Sequence, residues 1–285
     1  MAVKKVGIIG CGLMGSGITQ MCAMKGYETT VREVDQTILQ RGLDRIKKFM
    51  EDGIKRGKLT ELDMKATLGR IKGTTEISDL KDSDIVIEAV IEDMKLKKEV
   101  FKALDQVCKT QTIIASNTSS LSITEMASAT KRLDRCIGLH FFNPVPIMKL
   151  VEIVKPEITS DQTYNEVKGF SETLGKTTVT CKDTPGFIVN FLLVPYLLDA
   201  VRAVENGTAT KEDIDTGVKL GLNHPMGPIE LLDYVGLDTT YFIAEAMFQE
   251  FKDTRYAAPP LLKRMVLAGR NGRKAGCGFY DYSKK

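Results

Sequence analysis

The chain begins with a continuous apolar run, Val6 to Ile9, that ends in glycine. It continues into Met14 to Met24, which is small and apolar with Gly17 as its only breaker. A short apolar run closed by glycine predicts a buried strand, and the longer segment after it predicts a helix. Gly26 stops that helix and the β-branched stretch Tyr27 to Val34 predicts a second strand, so the opening segment reads as one right-handed βαβ unit of a parallel sheet. Two charged helical patterns, about Gln36 to Lys55 and Glu61 to Gly69, follow and predict a helical hairpin inserted into the sheet order. Strand patterns resume at Ile85 to Val90, Thr112 to Ser116, Cys136 to Phe141, Leu150 to Val154 and Thr177 to Thr180, with helical patterns at Lys95 to Val107 and Tyr164 to Leu174. This alternation predicts a doubly wound, Rossmann-like α/β domain over residues 1–184.

After Asp183-Thr184-Pro185-Gly186 the strand patterns stop, and residues 185–285 read as an all-α C-terminal domain. Its helices are expected at about Phe187 to Glu205, Lys211 to Leu220, Gly227 to Tyr234, Thr239 to Phe251 and Pro259 to Ala268. Phe187 to Leu198 is apolar nearly all round, more than a domain of about 100 residues easily covers, so part of it is expected to be shared with a second copy in a homodimer.

Composition narrows the partners. A net charge of +3 gives no reason to expect nucleic acid. The six cysteines show no CxxC spacing and no clustering with His140 or His224, which predicts neither a metal site nor a disulfide framework and reads as reduced thiols in the cytoplasm. The N-terminus runs straight into a strand without the pattern of a secretion signal. Phe187 to Leu198 is interrupted by Asn190 and Pro195 and is shorter than the ~20 residues of a membrane span.

Gly10-Cys11-Gly12-Leu13-Met14-Gly15 fits G-x-G-x-x-G between a strand and a helix. The first glycine permits the tight turn, the second lets a pyrophosphate approach the backbone, and the third lets helix pack on strand, with the anion at the positive helix end. Glu33 and Asp35, at the end of the second strand, are both candidates for the carboxylate that accepts from the adenosine ribose. Such a carboxylate repels a 2′-phosphate and favours NAD over NADP, while Arg32 and Arg41 keep the second nucleotide in play.

Only two histidines are available for proton transfer near neutral pH. His140 lies near the end of the strand Cys136 to Phe142, where open α/β sheets bind ligands. Glu152 is a lone carboxylate in Leu150-Val151-Glu152-Ile153-Val154 and needs a partner. If the two strands form a wide antiparallel hairpin centred on Pro146, positions 140 and 152 are cross-strand neighbours. The pair reads equally as a base with its orienting carboxylate or as a structural ion pair. Ser119, in Asn117-Thr118-Ser119-Ser120 after another apolar strand, is a candidate for a substrate oxygen, with helix capping from this segment as the alternative. Asn190, polar in an apolar helix, faces either a cleft or a satisfied core site. His224, in Asn223-His224-Pro225-Met226-Gly227-Pro228, reads as a turn residue. Lys47, Lys48, Lys55, Arg56 and Lys58 concentrate positive charge in the hairpin, either as a solvated face or as an anion contact.

The motifs Gly10 to Gly17 (GCGLMGSG), Ala115 to Leu121 (ASNTSSL), Gly138 to Pro144 (GLHFFNP), Met148 to Glu152 (MKLVE), Asp183 to Asn190 (DTPGFIVN), Lys211 to Asp215 (KEDID) and His224 to Pro228 (HPMGP) span essentially the whole chain. With them the sequence resembles the short-chain L-3-hydroxyacyl-CoA dehydrogenases, including the bacterial 3-hydroxybutyryl-CoA dehydrogenases. The resemblance implies NAD-dependent interconversion of a (3S)-3-hydroxyacyl-CoA and its 3-oxoacyl-CoA. It implies His140 as base, Glu152 as its partner, and Ser119 and Asn190 as substrate-orienting groups. It also places Glu33 at the ribose and Glu92, Lys97, Ser119, Asn143 and Lys274 at positions that contact NAD, with Lys55 and Arg56 near a basic position that meets CoA. A four-carbon substrate of butyrate metabolism is the expected pair.

Three residues depart from the family pattern. Glu33 stands where Asp is usual, a longer acid expected to keep the NAD preference with weaker binding. Phe191 stands where Arg is usual, so a salt bridge near the domain junction is expected to be missing. Cys11 stands where Ala is common, and an exposed thiol there would make cofactor binding sensitive to modification. Two rival readings are a dehydrogenase of the same fold acting on a free hydroxy or sugar acid, and a non-catalytic structural relative. The His140, Glu152, Ser119 and Asn190 set argues against the latter.

Overall fold

The computed structural model describes residues 3–283, and the chain divides into two compact units, Met1–Thr184 and Pro185–Lys285. In the first unit β1 (Lys5–Ile9), α1 (Leu13–Met24) and β2 (Glu28–Arg32) form the expected βαβ unit. The helices α2 (Gln36–Lys55) and α3 (Glu61–Leu68) lead to β3 (Ile71–Thr74). The chain continues through β4 (Ile85–Glu88), α4 (Met94–Val107), β5 (Ile113–Ser116), α5 (Ile123–Ala127), β6 (Cys136–Phe141), β7 (Leu150–Val154), α6 (Asp161–Thr173) and β8 (Thr177–Cys181).

The eight strands form one sheet in the order β3-β2-β1-β4-β5-β6-β7-β8, parallel throughout except for the antiparallel pair β6 and β7. Strands β4, β5 and β6 are buried at every residue, which is why they read as unbroken apolar runs rather than alternations. Reversal of strand order at β1 and β4 opens a crevice at the carboxyl ends of the strands, the usual ligand position in such sheets.

One strand escapes the sequence reading. Ile71-Lys72-Gly73-Thr74 pairs with β2 at the sheet edge, and only Thr74 is buried, so its apolar signal is too short to register. The hairpin α2–α3 is therefore the crossover from β2 to β3 rather than an insertion into the sheet order. Asp35 caps α2 by accepting from the Thr37 and Ile38 N–H groups, and a capping box of Thr60 and Asp63 starts α3.

The second unit contains α7 (Val189–Glu205), α8 (Lys211–Gly221), α9 (Pro228–Val235), α10 (Leu237–Phe251) and α11 (Pro260–Leu267). Helix α7 starts two residues later than its apolar pattern suggests, because Phe187 has φ +55°, outside the helical range. Its core is built from Val194, Leu197, Leu198, Ile229, Leu232 and Met247 among others. Two buried aspartates hold the segment after α11, which also contributes Phe279 to this core. Asp215 accepts from the Ile229 and Glu230 N–H groups at the start of α9 and from the Tyr280 hydroxyl, while Asp233 accepts from the Phe279 and Tyr280 N–H groups. Among the described residues no helix is long and apolar enough to cross a membrane.

Candidate active site

The first part of the site is the turn from β1 to α1. Gly10 has φ +93°, which only glycine adopts readily, and its N–H donates to the Arg32 carbonyl at 2.9 Å. Gly12 is the N-cap of α1, which has no side-chain cap and no acidic residue in its first turn, so no side chain of the helix itself occupies its N-terminal N–H groups. A Cβ on Gly12 would meet nothing within 4 Å, whereas one on Gly15 would lie 1.9 Å from the Gly10 carbonyl oxygen. Leu13 is exposed and Met14 half-buried beside them.

The two acidic candidates separate cleanly. Asp35 is committed to capping α2, whereas Glu33 lies against the glycine loop, accepting from the Cys11 N–H at 2.7 Å and from the Val34 N–H at 2.8 Å. An open helix N-terminus, an accessible backbone face at Gly12 and a carboxylate at the end of the second strand fit a dinucleotide whose pyrophosphate meets the loop and whose ribose meets the acid.

Cys11 does not meet the expectation of a modifiable thiol. It is 1 % exposed and packs where α2 comes closest, since a Cβ on Gly42 would lie 2.2 Å from its sulfur. Burial, with the Glu33 carboxylate adding to it and Arg45 opposing, pushes the thiol up to about 11. A protonated, enclosed thiol is a poor nucleophile.

The second part lies at the carboxyl ends of β5 and β6. His140 pairs with Glu152 across the antiparallel strands, in the register expected from their spacing about Pro146. Its Nδ1 lies 2.6 Å from the Glu152 Oε2, with Glu152 fully buried and His140 5 % exposed. The Ser119 Oγ lies 3.2 Å from the other ring nitrogen, Nε2. Since a carboxylate can only accept, Nδ1 carries the proton and Nε2 is left as acceptor toward Ser119. Capping in this segment falls to Ser122, which starts α5, and leaves Ser119 to the histidine.

A third cluster orders the serine loop. Glu92 Oε1 accepts from the Ser119 N–H at 2.9 Å and from the Thr118 hydroxyl at 2.5 Å, and Lys97 Nζ lies 3.3 Å from Glu92 Oε2. Lys97 is 1 % exposed and also meets Glu88, at 2.7 Å. The sequence reading passed over Glu88, although it ends the apolar strand Ile85-Val86-Ile87-Glu88 and so carries the signal that singled out Glu152. Asn143 is exposed in the loop after β6. That loop is held by Lys176, whose ammonium donates to the Val145 and Met148 carbonyls at 2.5 and 2.7 Å.

Two candidates belong to the second unit. Asn190 sits half-buried in the first turn of α7, and Lys274 is exposed and pairs with Asp238 at 2.6 Å. Phe191 takes part in an aromatic cluster, with ring centroids 6.0 Å from Phe251 and 6.1 Å from Tyr256, and Arg255 lies over its face. His224 is exposed in the irregular segment between α8 and α9. In the first unit Lys55 and Arg56 are exposed at the end of α2. Arg56 and Lys58 help line a cavity of about 230 Å³ bounded also by Phe49, Gly53, Leu59 and Ile147.

Comparison with known proteins agrees along the whole chain. Residues 5–184 match the family model of the 3-hydroxyacyl-CoA dehydrogenase NAD binding domain, and residues 186–282 that of the 3-hydroxyacyl-CoA dehydrogenase C-terminal domain. The sequence is 49 % identical over 283 residues to a 3-hydroxybutyryl-CoA dehydrogenase of Mycobacterium tuberculosis, covering 99 % of each chain. It is 49 % identical to the human mitochondrial hydroxyacyl-coenzyme A dehydrogenase, covering 98 % of this chain and 91 % of the other. The crystal structure of M. tuberculosis FadB2 superposes with a TM-score of 0.97 at 48 % identity, covering 99 % of this chain and 100 % of that one. That of the (S)-3-hydroxybutyryl-CoA dehydrogenase PaaH1 from Ralstonia eutropha superposes with a TM-score of 0.94 at 46 % identity and the same coverage. The chain belongs to the 3-hydroxyacyl-CoA dehydrogenase family.

Proposed function

We propose that the protein is an NAD-dependent dehydrogenase that interconverts (3S)-3-hydroxyacyl-CoA and 3-oxoacyl-CoA, with 3-hydroxybutyryl-CoA and acetoacetyl-CoA as its pair. The observation that carries this reading is the Ser119–His140–Glu152 line, in which Nδ1 meets the Glu152 carboxylate and Nε2 meets the Ser119 hydroxyl at the strand ends of a dinucleotide-binding sheet. The four-carbon assignment is supported by relatives of 44–49 % identity named 3-hydroxybutyryl-CoA dehydrogenases.

NAD supplies, when bound, the acceptor for the hydride that leaves carbon 3. His140 takes the hydroxyl proton on Nε2 as that hydride leaves, and Glu152 stabilises the resulting imidazolium and keeps the ring in the tautomer that can accept. Ser119 donates to the substrate oxygen and holds it at Nε2. In the reverse direction His140 returns the proton to the forming alkoxide. Gly10, Gly12, Leu13, Met14 and Gly15 are assigned to the pyrophosphate and Glu33 to the ribose. Glu92, Lys97, Asn143 and Lys274 as cofactor contacts, and Asn190 as a substrate-orienting group, rest on the family resemblance.

Lys55 and Arg56 are assigned to phosphates of CoA, a role supported by their exposure and by the adjoining cavity. Ile188, Leu192, Leu220, Leu222, Phe242 and Leu267 are large apolar side chains exposed on the second unit, which supports a homodimer. Light scattering at the monomer mass would remove that assignment. The cytoplasm is the proposed location, on the reduced-thiol reading of the cysteines.

Spectrophotometric oxidation of NADH tests the main reading. It is expected with acetoacetyl-CoA and absent with free acetoacetate, and equal rates with both would transfer the protein to the free-acid dehydrogenases. In the same assay Lys55→Ala/Arg56→Ala should raise KM for acetoacetyl-CoA severalfold with kcat nearly unchanged, as expected when uniform binding is lost. A thioester lacking the nucleotide should be indifferent to the change. Equal effects on both substrates would show that the hairpin does not meet CoA.

A further inference from the structure

Glu88 is fully buried at the end of β4, and three donors converge on it. Its Oε1 accepts from the Val90 N–H and from Lys97 Nζ, each at 2.7 Å, and its Oε2 accepts from the Ser116 hydroxyl at 2.6 Å. Ser116 Oγ in turn accepts from the Thr118 N–H at 3.1 Å. The same lysine reaches Glu92 at 3.3 Å, and Glu92 holds the Ser119 N–H at 2.9 Å. The loop that carries Ser119 to His140 is thus held from both sides, through Ser116 and through Glu92, and both lines start at Glu88.

A buried ion pair is a poor way to hold a fold. Withdrawing two charges from water offsets most of their attraction, and well-packed apolar residues of the same volume often serve as well or better. The pair of Glu88 and Lys97 does something that an apolar pair cannot, because it delivers a fixed cation to a second carboxylate, Glu92, whose other oxygen fixes a backbone N–H next to the reacting histidine. With Lys97 1 % exposed, its charge is not free to wander, and the position of Glu92 follows from that of Glu88.

We infer that Glu88 is a positioning residue of the active site, acting through Ser116, Lys97 and Glu92 to fix Ser119 against His140. This rests on the proposed dehydrogenase reading for its consequence in turnover, but the tether itself is a property of the folded chain.

Three variants test it: Glu88→Gln, the charge-free pair Glu88→Gln/Lys97→Met, and Glu92→Ala. Glu88→Gln leaves a buried lysine short of its main partner and is expected to lower Tm. The double variant removes both buried charges and should recover most of that Tm. Amide hydrogen exchange in residues 117–121 should nevertheless be at least ~10-fold faster in the double variant than in the wild type, because the loop has lost its anchor. The kcat for acetoacetyl-CoA at saturating NADH should stay at least ~10-fold down. A purely structural pair gives the opposite split, in which kcat returns with Tm, and that result overturns the inference. Glu92→Ala changes a side chain that is 39 % exposed, so it should fold even if the buried variants do not. It must show the same faster exchange, and wild-type exchange in Glu92→Ala or in the double variant also overturns the tether. If the wild type fails to reduce acetoacetyl-CoA, the dehydrogenase reading falls, while the exchange rates still judge the tether.

Discussion

Replacing His140 by Gln is expected to lower kcat at least ~100-fold, the low end of what a general base contributes, with NADH affinity nearly unchanged. Glutamine can still donate a hydrogen bond toward the Glu152 carboxylate, so the strand pair keeps a partner for its buried charge, but nothing remains to take a proton near neutral pH. The expected loss is therefore in turnover rather than in folding. The geometry supports this split: Glu152 is fully buried in β7, held in register opposite position 140 by the β6–β7 ladder, while Ser119 Oγ meets the far ring nitrogen at 3.2 Å. Steady-state kinetics with acetoacetyl-CoA and a fluorescence titration with NADH separate the two quantities. A near-normal kcat would reduce the pair to a structural ion pair, the alternative that spacing alone leaves open.

That pair was legible in the sequence because a hairpin register depends on nothing but distance along the chain. Residues equidistant from a turn centre must meet if the strands are antiparallel, and a lone glutamate in an apolar strand demands a partner. The glycine loop was legible for the same reason, as a local motif between a strand and a helix. What could not be read depends on contacts between distant segments. Glu88 carried the same lone-carboxylate signal as Glu152, yet its partners lie on α4 and at the end of β5 and no local rule names them. The environment of Cys11 is set by Gly42 of α2, so a thiol that looks reactive in its motif is enclosed in the fold. Glu33 and Asp35 looked interchangeable until capping claimed one of them. Strand β3 was lost because an edge strand with one buried residue leaves almost no hydrophobic trace.

The glycine loop yields the second large effect, and it separates two roles that the motif merges. Gly15→Ala is expected to damage the fold itself. The added methyl would sit 1.9 Å from the Gly10 carbonyl oxygen and 2.8 Å from its carbon, both backbone atoms that cannot swing aside as a flexible side chain would. Helix α1 has to move away from β1, at a cost of about 3 kcal/mol, the upper end for overpacking. That corresponds to a Tm lower by roughly 6–12 °C for a chain of this size, and NADH binding should be lost with the loop. Gly12→Ala is expected to do the reverse. A methyl there meets no atom within 4 Å, and φ −69° suits any residue, so Tm should fall only by the few degrees that alanine costs at a helix start. The same methyl stands on the backbone face that the pyrophosphate must approach, so the NADH dissociation constant should rise at least ~10-fold, about 1.4 kcal/mol. Thermal melts and NADH titrations of the two variants give the four numbers required. Wild-type NADH affinity in Gly12→Ala would mean that the dinucleotide does not lie on this face, and a wild-type Tm in Gly15→Ala would mean that the close approach of helix and strand is not what the third glycine is for.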